Sequence, residues 1–213
     1  MSVLPAHVGS LYIAGPPVVF LNAEALPVAG GSDTEFRIAD SALRRLAPQS
    51  PVVVEVSSDG NAWAGVEAVV DPLFGYVHLT SAPGTSALVR VSGEALPVHP
   101  VALVRSISLS VSNDVVELQV MGDGYKRRAA SLRDFSGELV GLTPLDEGFM
   151  AGAPLLIEVA KAAGAQVFRA WVTVPELSHK LTPGALYERT VKFTGHAFPM
   201  GNGGAIAWGY GTP

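Results

Sequence analysis

Residues 106–120 carry a pattern that only an extended chain can use. Ser106, Ser108, Ser110 and Ser112 interleave with Ile107, Leu109 and Val111; beyond Asn113-Asp114, Val116, Leu118 and Val120 interleave with Glu117 and Gln119. Neighbouring side chains point to opposite faces of a strand, whereas a helix groups residues three and four apart, so strict alternation predicts strands. Asn and Asp tolerate the positive φ of tight turns, and the Asn113-Asp114 break therefore predicts a β-hairpin. A further strand, Phe135 to Val140, follows the cationic stretch Lys126-Arg127-Arg128.

The same punctuation runs through the chain. Strands are expected at 18–21, 34–39, 52–56, 63–70, 74–79 and 87–92, with turns at Ser58-Asp59-Gly60-Asn61, Asp71-Pro72 and Pro83-Gly84. Asp40 is placed to cap a helical turn over 41–46 by accepting an orphan backbone N–H. Pro97 to Pro100 reads as a linker or corner, and a helical turn is expected at Asp146–Ala151. Strands are expected again at 155–159, 167–174 and 187–194. The spacing predicts an all-β protein with few short helices: a small β-rich module over 1–100 and a β-sandwich or barrel over 101–213. The segment Gly201–Pro213 reads as a glycine-rich tail that gains order only on assembly.

Charged residues are 15% of the chain and 48% are hydrophobic, against about 25% charged in ordinary soluble domains. Neither Leu11–Leu21, cut by Gly15-Pro16-Pro17, nor Ala153–Val167, which carries Glu158 and Lys161, is a clean span of about 20 apolar residues, so no membrane insertion is expected. No Lys or Arg precedes Arg37, so the basic region of a secretory signal is missing. Subunit-covered surface and a plain alanine-rich composition both account for the low charge. Residues 1–100 hold 4 Lys/Arg and 9 Asp/Glu, and the remainder 10 and 10, so no basic half offers phosphate neutralisation.

No catalytic layout emerges. The absence of Cys removes thiolate chemistry and disulfides. His7, His78, His99, His179 and His196 show no metal-ligand spacing. Asp146-Glu147 reads as a helix start rather than an acid/base pair. Gly122-x-Gly124 lacks the remaining glycines and the Lys of nucleotide loops and reads as a turn. We therefore expect no enzyme, cofactor or metal. Lys126, Arg127, Arg128 and Arg133 form the one cationic cluster. A subunit contact is the favoured reading; a solvated loop and a nucleic-acid contact are the others. The serine face of Ser106, Ser108, Ser110 and Ser112 suits either a lumen or packing against another sheet, and an ordinary solvent-facing edge accounts for it equally well.

Several phrases resemble the major tail proteins, or tail tube proteins, of long-tailed bacteriophages. They are the 106–120 hairpin, Gly124-Tyr125-Lys126, the run Leu132-Arg133-Asp134-Phe135-Ser136-Gly137-Glu138-Leu139, and the strand pair 155–174. The first segment resembles a β-rich module found in front of such proteins, through Phe36-Arg37-Ile38-Ala39-Asp40, Arg45 followed by Pro48, Leu73 to Leu79, Val89 to Gly93 and Leu96-Pro97. The resemblance implies a tail-tube type of sandwich, stacked six-membered rings, and a tube that conducts DNA into the host. Implied partners are further copies of the chain, tape measure, terminator and distal tail proteins, and double-stranded DNA in transient, non-specific passage. The implied location is the virion tail, with assembly in the host cytoplasm. The alternative is a carbohydrate- or receptor-binding sandwich at the tail tip, with Trp63, Trp171, Trp208 and Tyr210 as its aromatic platform.

Overall fold

The computed structural model describes residues 10–84, 86–101, 104–118, 127–142, 154–160, 166–180, 188–200 and 205–213. It is all-β, built of curled antiparallel sheets; its one helical element among the described residues is a 3-10 turn, Ser41–Leu43, capped by Asp40 accepting from the Ala42 N–H at 2.9 Å. The strands run β1 Ser10–Ala14, β2 Val18–Pro27, β3 Glu35–Ile38, β4 Val53–Ser57, β5 Ala64–Gly65, β6 Ala68–Val70, β7 Tyr76–Leu79, β8 Leu88–Ala95, β9 Val98–Pro100, β10 Val104–Leu118, β11 Arg127–Leu142, β12 Leu155–Ala160, β13 Val167–Lys180, β14 Glu188–Gly195, β15 Phe198–Pro199, β16 Ala205–Ile206 and β17 Trp208–Gly211.

The chain divides into two compact units, and they are not consecutive halves. Residues 1–100, 155–171 and 197–213 make the first; 101–154 and 172–196 make the second. The boundary expected at residue 100 is the first crossing point, but the chain returns to the first unit twice.

In the first unit a seven-stranded antiparallel sheet runs β5-β4-β8-β2-β3-β7-β6. Alternation puts Ala25, Phe36, Ile38, Val54, Val77, Val89 and Val91 on one face, all buried. At about 1.5–3 kcal/mol per fully buried large aliphatic or aromatic side chain, this face supplies much of the unit's stability. β2 carries one extra residue between Phe20 and Ala23, where Asn22 takes φ 56° and donates its N–H to Ser92 Oγ. Asn is one of the few residues with a side chain that visits the left-handed region readily. Gly75, at φ 68°, closes the turn after Phe74; a Cβ there would lie 2.9 Å from Arg44 Cα. A second cluster holds Leu73, Phe74, Leu156, Trp171 and Phe198.

Two expectations about the first unit change. Pro97–Pro100 is not a linker: Val98–Pro100 is β9, paired with β1, because one more ladder satisfies backbone groups that a free corner would leave to water. The tail is not waiting for a partner either. β17 pairs with Val167–Ala170 of β13, Phe198 is buried, and Arg37 donates to Thr212 Oγ1 and the Thr212 carbonyl. Its aromatics supply the reason: Trp208 and Tyr210 stack on Phe168 at centroid separations of 6.1 and 5.1 Å. Gly201–Gly204, like the expected helical turn at Asp146–Ala151 and the loop Gly122–Gly124, lies outside the described residues.

The second unit is built on β10, β11, β14 and the end of β13. Here the predicted hairpin turn is corrected. β10 passes through Asn113-Asp114 without reversing and pairs along its length with β11. A register shift lies between Asn113 and Val115, where two residues of β11 face one of β10. The extra residue belongs to β11, so Asn113-Asp114 continues an extended strand, and the β11 pairing supplies a longer ladder than a local hairpin would.

Candidate assembly surface

Antiparallel register builds the second unit's faces row by row. Ser108 lies opposite Glu138, Glu138 opposite Lys192, and Lys192 opposite Glu176. The adjacent rows are Ser110–Ser136–Thr194–Thr173 and Ser106–Val140–Thr190–Ser178, and Ser112 faces Asp134. The result is a sheet face of hydroxyls, with acids Asp134, Glu138 and Glu176 against Lys192. Lys192 Nζ sits 2.9 Å from Glu176 Oε2, both side chains half exposed; the bond to Glu176 holds the ammonium pKa above its ordinary value. Ser106, Ser108, Ser110 and Ser112 are all exposed, so no second sheet of the described residues covers them.

The opposite face is apolar. Phe135, Leu139, Val191 and Phe193 are buried, with the Phe135 and Phe193 rings 6.0 Å apart. Gly137 is required between them, because a Cβ there would stand 2.5 Å from the Phe193 ring and from the Ser108 carbonyl. Toward β10 this face runs out to Leu109 and Val111, which remain 38% and 47% exposed.

β10 is an edge strand. β11 pairs with β14 only from Ser136 to Leu142, so its first nine residues, Arg127–Phe135, pair with β10 alone among the described residues. They form a two-stranded ribbon about 30 Å long at ~3.3 Å per residue. An isolated ribbon of this kind is marginal in water, and its open edges are templates for another strand. Arg127, Arg128 and Arg133 all lie on it, opposite Leu118, Glu117 and Asn113 respectively; Lys126 lies outside the described residues. Sequence reasoning placed the arginines in a linker, because a turn at 113–114 left no strand partner for them.

The first unit holds a charged network that the sequence did not announce. Arg169 is fully buried; its Nε donates to Glu158 Oε2 at 2.7 Å, its Nη1 to the Leu73 carbonyl at 2.6 Å, and its guanidinium lies over the Phe74 ring. Arg45 adds two bonds to the same carboxylate, at 2.8 and 3.3 Å. Burial pushes the Glu158 pKa up, but the Arg45 hydrogen bond and the Arg169 charge outweigh it and hold the carboxyl below its usual range. Asp71 goes the other way, raised by burial. The network joins segments distant in sequence, Arg45 and Leu73 to Glu158 and Arg169. Among the same residues, no group of three His, Asp or Glu is disposed to hold a metal ion, and no helix is long and apolar enough to cross a membrane.

The expected aromatic platform is not assembled. Trp171 is 2% exposed beneath Phe198, and Trp208 packs on Phe168; only Tyr210 stands well out. Trp63 instead lies under the Arg90 guanidinium, 4.1 Å from its ring centroid. The chain matches no protein-family model and no curated protein sequence.

Proposed function

We propose that this protein is a structural virion subunit that polymerises with copies of itself, as stacked six-membered rings, into a phage tail tube. The ribbon Arg127–Phe135 with β10 carries the reading: two strands with open edges and a half-covered apolar flank gain most by pairing with another copy. Head-to-tail contacts between unlike surfaces close into rings or extend as filaments. The hydroxyl face suits a lumen through which DNA passes without binding, since its charges sum to a slight acid excess. The 15% charge content suits surface that is covered in the assembly. In this reading the ribbon arginines set the register of ring or stacking contacts, and tape measure, terminator and distal tail proteins meet the ends of the tube.

Electron microscopy of concentrated full-length protein tests it: rings or hollow filaments of uniform width are expected. Leu109→Lys with Val111→Lys should abolish them and leave a folded monomer, because both side chains are already exposed. A monodisperse monomer at every protein and salt concentration, or filaments indifferent to the two lysines, overturns the proposal.

A further inference from the structure

Two buried donors of the first unit, Arg169 Nη2 and Trp171 Nε1, find no acceptor among the described residues. Arg169 is fully buried and Trp171 nearly so. The other nitrogens of the Arg169 head are engaged, Nε with Glu158 Oε2 and Nη1 with the Leu73 carbonyl. Folding strips water from such groups, and a donor left unpaired bears the full cost of its desolvation. Native interiors avoid that cost with an enclosed water or ion.

The two donors are neighbours. The β13 ladder is regular where they sit: Val167–Ala170 pair with β17, and the Trp171 N–H continues to the Ala207 carbonyl at 2.7 Å. Residues two apart on a strand leave the same face, from Cα atoms about 6.6 Å apart. The contacts agree. Arg169 bonds the Leu73 carbonyl and lies over the Phe74 ring, and Trp171 packs in the cluster that holds Leu73 and Phe74. One acceptor placed about 3 Å from each nitrogen can join donors up to about 6 Å apart.

We propose that Arg169 Nη2 and Trp171 Nε1 together bind one small acceptor, a water molecule or a halide ion. The donors set the chemistry, since a guanidinium and an indole N–H have nothing to offer a metal cation. Burial sets the size: Leu156, Val167 and Phe198 belong to the same cluster, with the Phe198 ring edge-on to the indole at 5.3 Å. Charge admits an anion as well as a neutral molecule, because the guanidiniums of Arg45 and Arg169 share the one carboxylate of Glu158. The bound acceptor completes the bonding of Arg169 and so helps tie the Leu73-Phe74 turn to β13. Every residue named lies in the first unit, and the inference is independent of polymerisation.

The test is nitrogen–proton correlation NMR of the full-length protein, in which the indole N–H groups of Trp63, Trp171 and Trp208 give separate signals and Trp171→Phe assigns the one in question. A water source predicts a cross-relaxation contact between a long-lived water and the Trp171 indole proton in halide-free sulfate buffer. A halide source predicts a saturable shift of that signal as bromide replaces sulfate at constant ionic strength, with the Trp63 signal unmoved. Arg169→Lys keeps a cation beside Glu158 but removes Nη2. It should abolish the water contact, or weaken bromide binding about tenfold, as loss of one hydrogen bond to a charged group does. A crystal structure of the wild-type protein grown with bromide serves if that variant fails to fold: one ordered peak bonded to both nitrogens is expected. Neither a water contact nor a bromide shift at Trp171, an undiminished response in folded Arg169→Lys, or a crystal with no peak joining the two nitrogens overturns the proposal.

Discussion

Removing the carboxylate of Glu158 should be the most damaging single change in the first unit. Glu158 is 4% exposed and, among the described residues, is the only carboxylate bonded to the fully buried Arg169; it also accepts both bonds from Arg45. In Glu158→Ala, Arg169 keeps only the Leu73 carbonyl and the Phe74 ring among the described residues. Breaking a buried pair in this way costs about 3–5 kcal/mol, because the remaining charge stays desolvated. At roughly 2–4 °C per kcal/mol for a chain of 150–250 residues, the melting temperature should fall by roughly 6–20 °C. Tryptophan fluorescence is the proper readout, since Trp63, Trp171 and Trp208 all lie in the first unit. The pH dependence has a definite sign. The Glu158 pKa is lowered in the folded state, so its contribution is complete above the ordinary carboxylate range and is lost as pH falls through the lowered value. The gap between wild type and variant should therefore narrow on acidification. Replacing Glu158 and Arg169 together, as Glu158→Leu with Arg169→Met, should recover part of the loss, because the fully buried charge is gone while Arg45 still lacks its carboxylate. A Glu158→Ala protein within about 1 kcal/mol of wild type at pH 7, or a gap indifferent to acid, would refute the reasoning.

Three further outcomes are expected. Gly137→Ala drives a Cβ into the Phe193 ring and the Ser108 carbonyl, and should cost about 1–3 kcal/mol in urea unfolding. Asp71→Asn keeps the acceptor for the Leu73 N–H without a buried charge. The raised Asp71 pKa means that wild type loses stability as pH rises through it, so at pH 7 the variant should equal or exceed wild type in thermal melts, with a flatter profile above the carboxylate range. Arg127→Glu with Arg128→Glu should block polymer formation while circular dichroism of the monomer stays unchanged; intact polymers would remove these arginines from the interface.

Strands were legible wherever local pattern decides. Glu35–Ile38, Val53–Ser57, Leu155–Ala160 and the Asp40 cap follow from alternation and side-chain chemistry within a few residues. Partner choice was not. Asn113-Asp114 carries a local turn signal, and only pairing with the distant strand β11, which takes up the extra residue itself, overrides it. The tail read as loose because its glycines are visible in sequence, whereas the Phe168 surface that Trp208 and Tyr210 cover is assembled by folding. Of the candidate site, the serine alternation was legible as a face. Its continuation through Ser136, Thr194 and Thr173 required the register of three more strands. Glu158 looked like a charge interrupting an apolar run, since its two arginines lie 113 and 11 residues away.

Lys192 is the one cation in the central rows of that hydroxyl wall, and it is already held by Glu176. A polyanion drifting past would have to evict a carboxylate before gaining an ammonium, exchanging one ion pair for another with little net gain. Within those rows no cation stands free, and in the proposed tube a phosphate chain would cross them at nearly constant energy.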